Sequence, residues 1–285
     1  MRRLRKLLAI AVVMAATVGP STGTASGVEE PVVTRRPRIE LPGPVACRGC
    51  WEPRLRTSWQ WQLQSTPKVG DLLDVRMYDI DGSEATRSLV RAMHARGIKV
   101  VCYVSAGAWE RWRPDADRFP ADVLGETNGW PGERWLDVRR RAILAPIMRD
   151  RIAMCSRKGF DAVEFDNVDG YRNDTGFPLV GADQLRYNVF LANAAHRRGL
   201  SVLLKNDLDQ IPALLPYFDG ALNEQCHQYD ECSRLSRFVD VGKPVFGVEY
   251  TLEPSEFCRR ANARDFNFLA KRSALGPWRR PCRGR

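Results

Sequence analysis

Histidine is scarce in this chain, and two common classes of catalytic motif are absent. Only three histidines occur among the 285 residues, and they stand far apart at His94, His196 and His227. The sequence has no G-x-G-x-x-G or Walker loop, and Ser105 lacks the G-x-S-x-G surroundings of a hydrolase nucleophile. His94 and His196 fall at the ends of predicted helices, and His227 is a loop residue that either packs or lines the site. We therefore expect neither a cofactor nor a metal.

Long apolar runs are also missing. A membrane-spanning helix needs about 20 apolar residues, and no segment of the chain reaches that length. Residues 1–6 are mostly basic, residues 7–18 are apolar, and small and polar residues follow them. This order predicts a secretory signal peptide over residues 1–26, cleaved near Ala25–Gly27; an uncleaved membrane anchor is the alternative. We expect a secreted, extracellular protein with no membrane contact after cleavage.

The charge of the chain is positive but not concentrated. Lys and Arg number 44 and Asp and Glu number 34, which gives a formal net charge of +10. The basic residues are scattered and accompany no recognition motif, so we expect no nucleic-acid partner. With 44% apolar and 27% charged residues, the composition is that of a globular protein and excludes long disorder, collagen and a simple coiled coil. We expect a monomer.

Eight cysteines follow the predicted signal peptide. An even number of cysteines in a secreted chain predicts disulfides. Their positions in the predicted elements favour three pairs: Cys226–Cys232, Cys258–Cys282 and Cys102–Cys155. Cys47 and Cys50 then pair with each other or stay free. A zinc site at these two residues lacks a second pair of ligands at a suitable spacing.

Short apolar or alternating runs recur along the chain, with helical patterns between them. The runs predict strands at Trp59–Leu63, Leu72–Tyr78, Lys99–Ser105, Ala162–Phe165, Ser201–Lys205, Gly220–Asn223, Pro244–Glu249 and Phe266–Lys271. Helices are predicted at Ser83–Arg96, Arg140–Lys158 and Asp183–Arg198, and a glycine follows each. The repeated order of helix, glycine and buried strand is typical of a parallel α/β sheet. It predicts a single (β/α)8 TIM-type barrel over residues 51–285, after a proline-rich N-terminal linker over residues 27–50. Residues 130–138 could add a short extra strand.

Polar side chains gather where the predicted strands end. In a barrel these ends meet at one rim, where catalytic residues lie. Carboxylates, amides and hydroxyls occur there beside aromatic residues. Aromatic faces stack on sugar rings, and carboxylates and amides bind their hydroxyl groups, so the collection predicts a carbohydrate cleft.

Two strand ends carry the strongest candidates for catalysis. Glu164 and Asp166 are two residues apart, so both face the same side of their strand. Glu224 follows another strand, and glycosidases usually work with two carboxylates. Two alternatives remain open: Glu164 could be a buried structural acid, and Asp169 could be a turn residue before the next glycine.

The sequence also resembles a known family over nearly all of residues 51–282. The segments that carry the resemblance are Ser58–Leu63, Val101–Glu110, Trp135–Arg139, Lys158–Tyr171, Leu204–Asn206 and Asn223–Cys226. They are similar to glycoside hydrolase family 114, the endo-α-1,4-polygalactosaminidases. The resemblance implies a (β/α)8 barrel that cleaves α-1,4-linked galactosamine polymers internally without a metal. It also implies a retaining mechanism with Asp166 as nucleophile and Glu224 as general acid/base. Phe165 departs from the family pattern, in which proline is common before the aspartate.

The substrate is therefore expected to be a galactosamine-containing polysaccharide. We expect substrate contacts from Trp61, Asp79, Tyr103, Ser105, Trp109, Asn167, Asp169, Lys205, Asn206 and Glu249. Galactosamine units are cationic, and acidic strand ends can attract them in spite of the positive net charge. Two other functions remain open: a non-catalytic exopolysaccharide-binding barrel, and an α-galactoside hydrolase that acts on a neutral substrate.

Overall fold

The computed structural model describes residues 39–284 of the chain. The predicted signal peptide and residues 27–38 of the predicted linker lie outside this range. The strands are β1 (Trp59–Gln62), β2 (Met77–Asp81), β3 (Lys99–Ser105), β4 (Ala108–Glu110), β5 (Leu124–Thr127), β6 (Glu133–Leu136), β7 (Ala162–Asp166), β8 (Ser201–Lys205), β9 (Gly220–Glu224), β10 (Val245–Glu249), β11 (Asn267–Ala270) and β12 (Arg280–Pro281). The α-helices are α1 (Arg87–Ala95), α2 (Arg141–Lys158), α3 (Gly181–His196), α4 (Ile211–Leu214), α5 (Ser236–Asp240) and α6 (Pro254–Ala263). Within residues 39–284 no helix is long and apolar enough to cross a membrane.

A curled sheet forms the centre of the fold. Its order is β1-β2-β3-β7-β8-β9-β10-β11-β12, and all pairs are parallel except β11 with β12. The sheet curls until each of its eight parallel strands supplies a side chain to one inner apolar cluster: Trp59, Met77, Val101, Ala162, Leu203, Leu222, Phe246 and Leu269. The predicted mixed α/β fold with a parallel sheet is therefore confirmed.

The seam between β1 and β11 differs from the expected eight-strand ladder. One edge of β11 pairs with β10 and the other with β12, so β12 takes the edge that β1 would need for a complete ring. Other bonds cross the seam instead. Trp59 Nε1 donates to the carbonyl of Asn267 at 2.9 Å, and the N–H of Leu63 donates to the carbonyl of Leu275 at 3.0 Å.

Helices cover the outer face of the sheet. In three of the helix-to-strand connections a glycine stands between the helix and the next strand, as expected. Gly97, Gly159 and Gly199 all have positive φ, between 72° and 90°, which glycine adopts without steric cost. The start of α1 lies later than predicted. Thr86, not Ser83, caps this helix, because its hydroxyl oxygen accepts the N–H of Leu89 at 3.2 Å.

Two further differences concern strands. The second predicted strand starts late, at Met77, because the preceding residues form an irregular stretch held by the Tyr78 hydroxyl, which accepts the N–H of Leu73 at 2.7 Å. The extra strand suggested near residue 133 does form. It is β6, the centre of a small antiparallel sheet with β4 and β5. This small sheet follows β3 directly and carries polar side chains to the rim that holds the candidate site.

The end of the predicted linker packs against the folded part. Asn193 Oδ1 in α3 accepts the N–H of Val45 at 2.8 Å, and Tyr217 donates its hydroxyl to the carbonyl of Pro42 at 2.7 Å. His196 Nδ1 lies 3.0 Å from the carbonyl oxygen of Val45. Residues 42–45 are thus attached to the helical layer by hydrogen bonds.

All eight cysteines form disulfides. The three expected pairs, Cys102–Cys155, Cys226–Cys232 and Cys258–Cys282, are confirmed, and Cys47 pairs with Cys50. The Cys102–Cys155 bond joins β3 to α2, whereas Cys226–Cys232 closes the short loop after β9.

These pairs predict unequal losses of stability. The Cys102–Cys155 bond spans 53 residues and the Cys226–Cys232 bond spans 6. Because a disulfide limits the entropy of the unfolded chain according to loop length, Cys102→Ala with Cys155→Ala should lower the free energy of unfolding by about 4 kcal/mol, against about 2 kcal/mol for Cys226→Ala with Cys232→Ala. Urea unfolding of the two double variants measures the difference. Equal losses would contradict this explanation.

Candidate active site

Three neighbouring strands deliver the central charged groups to one rim. Asp166 ends β7, Lys205 ends β8 and Glu224 ends β9. The next residue in each case, Asn167, Asn206 or Gln225, has a φ of 62°, 48° or 63°. These left-handed conformations are uncommon outside glycine and bend the chain sharply. The bend follows directly after the last inward-facing side chain of each strand.

Asp166 is held as a carboxylate. It accepts hydrogen bonds from Lys205 Nζ at 2.7 Å, the Tyr103 hydroxyl at 2.9 Å and the N–H of Asn167 at 2.8 Å. Burial acts to raise the pKa of Asp166, but the ammonium of Lys205 and these hydrogen bonds outweigh it and hold the pKa below its usual value. Asp166 is therefore an ionised carboxylate in a fixed orientation, and one of its oxygens can act as a nucleophile.

Glu224 is held by two polar neighbours as well as by Lys205. Tyr250 donates a hydrogen bond to Glu224 Oε1, and Asn206 Nδ2 lies 3.3 Å from Oε2. The side-chain oxygen Oδ1 of Asn206 accepts the backbone N–H of Glu224 at 3.0 Å, so the side-chain amide of Asn206 fixes both the backbone and the carboxyl group of Glu224. Burial and the adjacent Glu224 raise the pKa of Tyr250, which stays a neutral donor.

Lys205 joins the two carboxylates. Its Nζ is 2.7 Å from Asp166, 3.1 Å from Glu224 and 4.9 Å from the Trp61 ring centroid. Burial acts to lower the pKa of Lys205, but the surrounding carboxylates raise it well above its usual value. Because Asp166 Oδ1 and Glu224 Oε2 both contact Lys205 Nζ, these two oxygens are at most about 5.8 Å apart, the combined length of the two contacts. At this distance both carboxyl groups can act on the same glycosidic bond.

A cleft of about 450 Å³ opens above these groups. A second groove of about 390 Å³ shares Asp169, Asn206 and Glu224 with it. Exposed aromatic rings stand along the two: Trp112 and Trp130 in the first, 50% and 56% exposed, and Tyr229 in the second, 61% exposed. The three rings offer flat apolar surfaces on which sugar rings can stack.

Six of the ten expected substrate contacts line this cleft. They are Trp61, Tyr103, Asn167, Asp169, Lys205 and Asn206. Ser105 lies behind it, 1% exposed, and its hydroxyl oxygen accepts Asn167 Nδ2 at 3.0 Å. Ser105 therefore supports a cleft residue without reaching the cleft itself.

The other three expected contacts lie outside the cleft, two because of strand alternation and one because of burial. Trp109 precedes Glu110, which lines the cleft, so the Trp109 ring points to the opposite face and donates to the carbonyl of Ala116 at 3.1 Å. Glu249 is likewise out of phase with Tyr250 and accepts the N–H of His227 at 2.8 Å. Asp79 faces inward but is fully buried, one inward position below the cleft.

Several cleft residues are not among the ten expected substrate contacts. Trp112, Trp130 and Tyr229 lie in loops, and Asp81, Glu110, Arg113, Glu133 and Tyr250 also line the cleft. The guanidinium of Arg113 lies 2.7 Å from a carboxylate oxygen of Asp81 and 2.7 Å from one of Glu110. It therefore neutralises part of the negative charge on this side of the cleft. Tyr250 had a usable signal, because it continues the inward phase of β10 by one step.

Asp169 is not explained by a role in the local turn. It occupies the N-cap position of the 3₁₀ helix Gly170–Arg172, yet its side chain makes no capping hydrogen bond. It lines both grooves, and no ion pair reaches its carboxylate from a side chain in the described range. Burial, and then the charge of Asp166, raise the pKa of Asp169 to about 6. At neutral pH it offers an unneutralised negative charge to the cleft.

One group of potential metal ligands occurs among residues 39–284. It consists of Cys226, His227 and Cys232, but the two cysteines are bonded to each other and offer no thiolate. His227 packs against Phe257 and Phe268, and burial lowers its pKa to about 4. This histidine is a packing residue below the loop that follows Glu224.

Comparison with known proteins agrees with this geometry. The model of glycoside-hydrolase family GH114 matches residues 44–285. The crystal structure of Aspergillus fumigatus Ega3 in complex with galactosamine is 38% identical, covers 85% of this chain and 100% of its own, and superposes with a TM-score of 0.79. The glycoside hydrolase domain of PelA from Pseudomonas aeruginosa, 15% identical over 76% of this chain and 95% of its own, has a TM-score of 0.60 and shares the fold. No curated protein sequence matches the chain. With a family match that extends over most of its length, the chain belongs to glycoside-hydrolase family GH114 and is a glycoside hydrolase.

Proposed function

We propose that this enzyme cleaves internal α-1,4-galactosaminide bonds in a galactosamine-containing polysaccharide, with retention of configuration. The observation that carries the proposal is the pair Asp166 and Glu224, whose carboxyl groups both contact the ammonium of Lys205 and can therefore act on one glycosidic bond. The 38% identity to a protein that binds galactosamine supports the choice of sugar.

The reaction proceeds in two displacements. In the first, Asp166 attacks the anomeric carbon, the bond to the leaving oxygen breaks, and Glu224 gives its proton to that oxygen. In the second, the Glu224 carboxylate takes a proton from water, whose oxygen attacks the anomeric carbon and releases Asp166. Glu224 thus regains the proton it gave.

The surrounding side chains serve these two steps differently. Lys205 and Tyr103 keep Asp166 ionised and aimed before the attack. Tyr250 and Asn206 hold Glu224, which must exchange a proton twice in each turnover. Because these groups are fixed before the substrate arrives, little reorganisation is needed during the reaction.

The cleft and groove favour an internal site of attack on a cationic chain. The groove joins the cleft at Asp169, Asn206 and Glu224, so a polymer can run from one into the other past the catalytic residues. Asp169 presents a free carboxylate to the amino group of a sugar. The faces of Trp112 and Trp130 offer stacking and cation–π contacts to further ammonium-bearing rings.

Two structural expectations belong to the same proposal. We infer that the eight parallel strands close into a (β/α)8 barrel through the side-chain and backbone bonds that cross the β1–β11 seam. We also infer secretion, because the signal peptide predicted over residues 1–26 and four disulfides are typical of the extracellular space.

The catalytic assignment predicts different behaviour for the two isosteric amide variants. Glu224→Gln should lower kcat on galactosamine polymer by about 10²–10⁴-fold, the worth of general acid–base catalysis. With a substrate whose leaving group needs no proton, its first displacement should recover as a burst of that leaving group, while turnover stays slow because the second displacement still lacks its base. Asp166→Asn should lose activity on both substrates, because it lacks the nucleophile. Mass spectrometry of released oligomers measures each rate.

Matched controls and one stereochemical result test the same assignment. Asp150→Asn and Glu253→Gln make the same changes at exposed positions, 65% and 71% accessible, and should keep wild-type rates. Proton NMR should show the α-anomer as the first product. A β-anomer first product, or near-full activity of Glu224→Gln, would falsify the retaining assignment. Release from neutral galactosides alone, or binding without release, would replace the proposed function by one of its alternatives.

The free carboxylate of Asp169 in the cleft predicts that the enzyme prefers substrates whose amino groups are not acetylated. Asp169→Asn should raise KM for a deacetylated galactosamine oligomer by about tenfold, the worth of one charge-assisted hydrogen bond, and should change KM for the N-acetylated oligomer little. With a pKa of about 6, the carboxylate is ionised above that pH, so the wild-type advantage should shrink as the pH falls through 6. Equal changes for both oligomers would contradict recognition of the ammonium group.

A further inference from the structure

Two carboxyl groups lie beneath the catalytic pair and have no role in the proposed reaction. Glu164 precedes Asp166 by two residues on β7, and Asp79 lies on β2. β3 runs between these strands and pairs Val101 with Asp79 and Tyr103 with Glu164. Both acids are 0% exposed, and neither lines the cleft.

These two acids are short of hydrogen-bond donors. None of their four carboxylate oxygens has a donor among residues 39–284. Lys205 Nζ is the cation that faces them, 3.5 Å from Glu164 Oε1, but it lies closer to Asp166 and Glu224, at 2.7 and 3.1 Å. A buried carboxylate without donors is costly, and two that face each other also repel. Both acids cannot be ionised together in this place.

One proton removes both penalties. A protonated Asp79 has an O–H group that donates to Glu164, and Glu164 then has the donor it lacks. Burial, followed by the charge of Glu164 and a hydrogen bond to it, raises the pKa of Asp79 well above its usual value. Burial also raises the pKa of Glu164, although the nearby ammonium of Lys205 acts to lower it.

The protonation of this pair bears on where Lys205 stands. Trp61 lies against the ammonium on one side, and Asp166 and Glu224 face it from the rim. Two negative charges below would draw Lys205 down and away from Asp166, since each attraction grows as the distance shrinks. A pair that keeps a proton leaves Lys205 in contact with Asp166.

We propose that Asp79 keeps a proton throughout turnover and donates it in a hydrogen bond to Glu164, and that this pair positions Lys205 against Asp166. Asp79 and Glu164 are positioning residues, which touch neither substrate nor reacting atoms. The kinetic consequence rests on the proposed function, whereas the location of the proton does not.

Infrared difference spectroscopy locates the proton without a substrate. In the spectrum of the wild-type protein minus Asp79→Asn at neutral pH, we expect the C=O stretching band of a protonated carboxylic acid. The control pair, wild type minus Asp150→Asn, should show an ionised carboxylate band, because Asp150 is 65% exposed. A carboxylate band in the Asp79 difference spectrum would overturn the inference. Because no sugar is present, failure here cannot be confused with a wrong substrate assignment.

Kinetics test the positioning role by loss and rescue. Asp79→Ala leaves Glu164 without a donor, and kcat on galactosamine oligomer should fall by about tenfold to a hundredfold with KM little changed. The acid limb of the kcat profile should move to higher pH, because Asp166 loses part of its contact with Lys205. Asp79→Asn should restore most of kcat and the original limb, since its neutral amide also donates to Glu164.

Three kinetic results would count against the role. The first is a fall of kcat in Asp79→Asn as large as that in Asp79→Ala. The second is a wild-type kcat and pH profile in Asp79→Ala. Where Asp79→Ala does not fold, the third is a wild-type kcat and pH profile in Glu164→Gln. Glu164→Gln otherwise moves the same limb to lower pH, because the loss of the charge below Lys205 leaves its ammonium closer to Asp166.

Discussion

One buried ammonium group governs the candidate active site. Lys205 is 2% exposed, and carboxylate oxygens from β7 and β9 lie within 3.5 Å of its Nζ. Burial alone would favour neutral carboxyl groups in this place, and a neutral Asp166 is a poor nucleophile. The strand order matters for this reason: β8 runs between β7 and β9, so its last side chain reaches both acids at once.

The backbone of the neighbouring loop also fixes the position of Asp166. The carbonyl of Asp166 accepts the N–H groups of Ala106 and Gly107 at 3.0 and 3.1 Å, which ties the end of β7 to the loop after β3. At Gly107 the approach is so close that a Cβ would lie 1.6 Å from the carbonyl oxygen of Asn167. Only glycine fits there, and its absence of a side chain allows Asn167 to take the left-handed turn that follows Asp166.

The sequence predicts local features better than pairings between distant segments. The helix–glycine–strand order predicts the parallel sheet because each unit is encoded within a few residues. The β1–β11 seam depends on where residues 280–281 dock, which no local pattern indicates. At the site, strand-end position identifies Asp166, Lys205 and Glu224, whereas Trp109 and Glu249 fail because the alternation of their strands points them away from the cleft. The exposed rings of the cleft lie in loops, whose course periodicity cannot predict.

The two-residue strand β12 has a consequence for the behaviour of the protein at high concentration. An open sheet edge is a template on which other chains can add strands and aggregate. β12 covers the free edge of β11 and then presents very little edge of its own, because it is short and Pro281 has no N–H to donate. An arginine stands beside that proline, and both are exposed. β12 thus protects the molecule against edge-to-edge assembly and favours its colloidal stability.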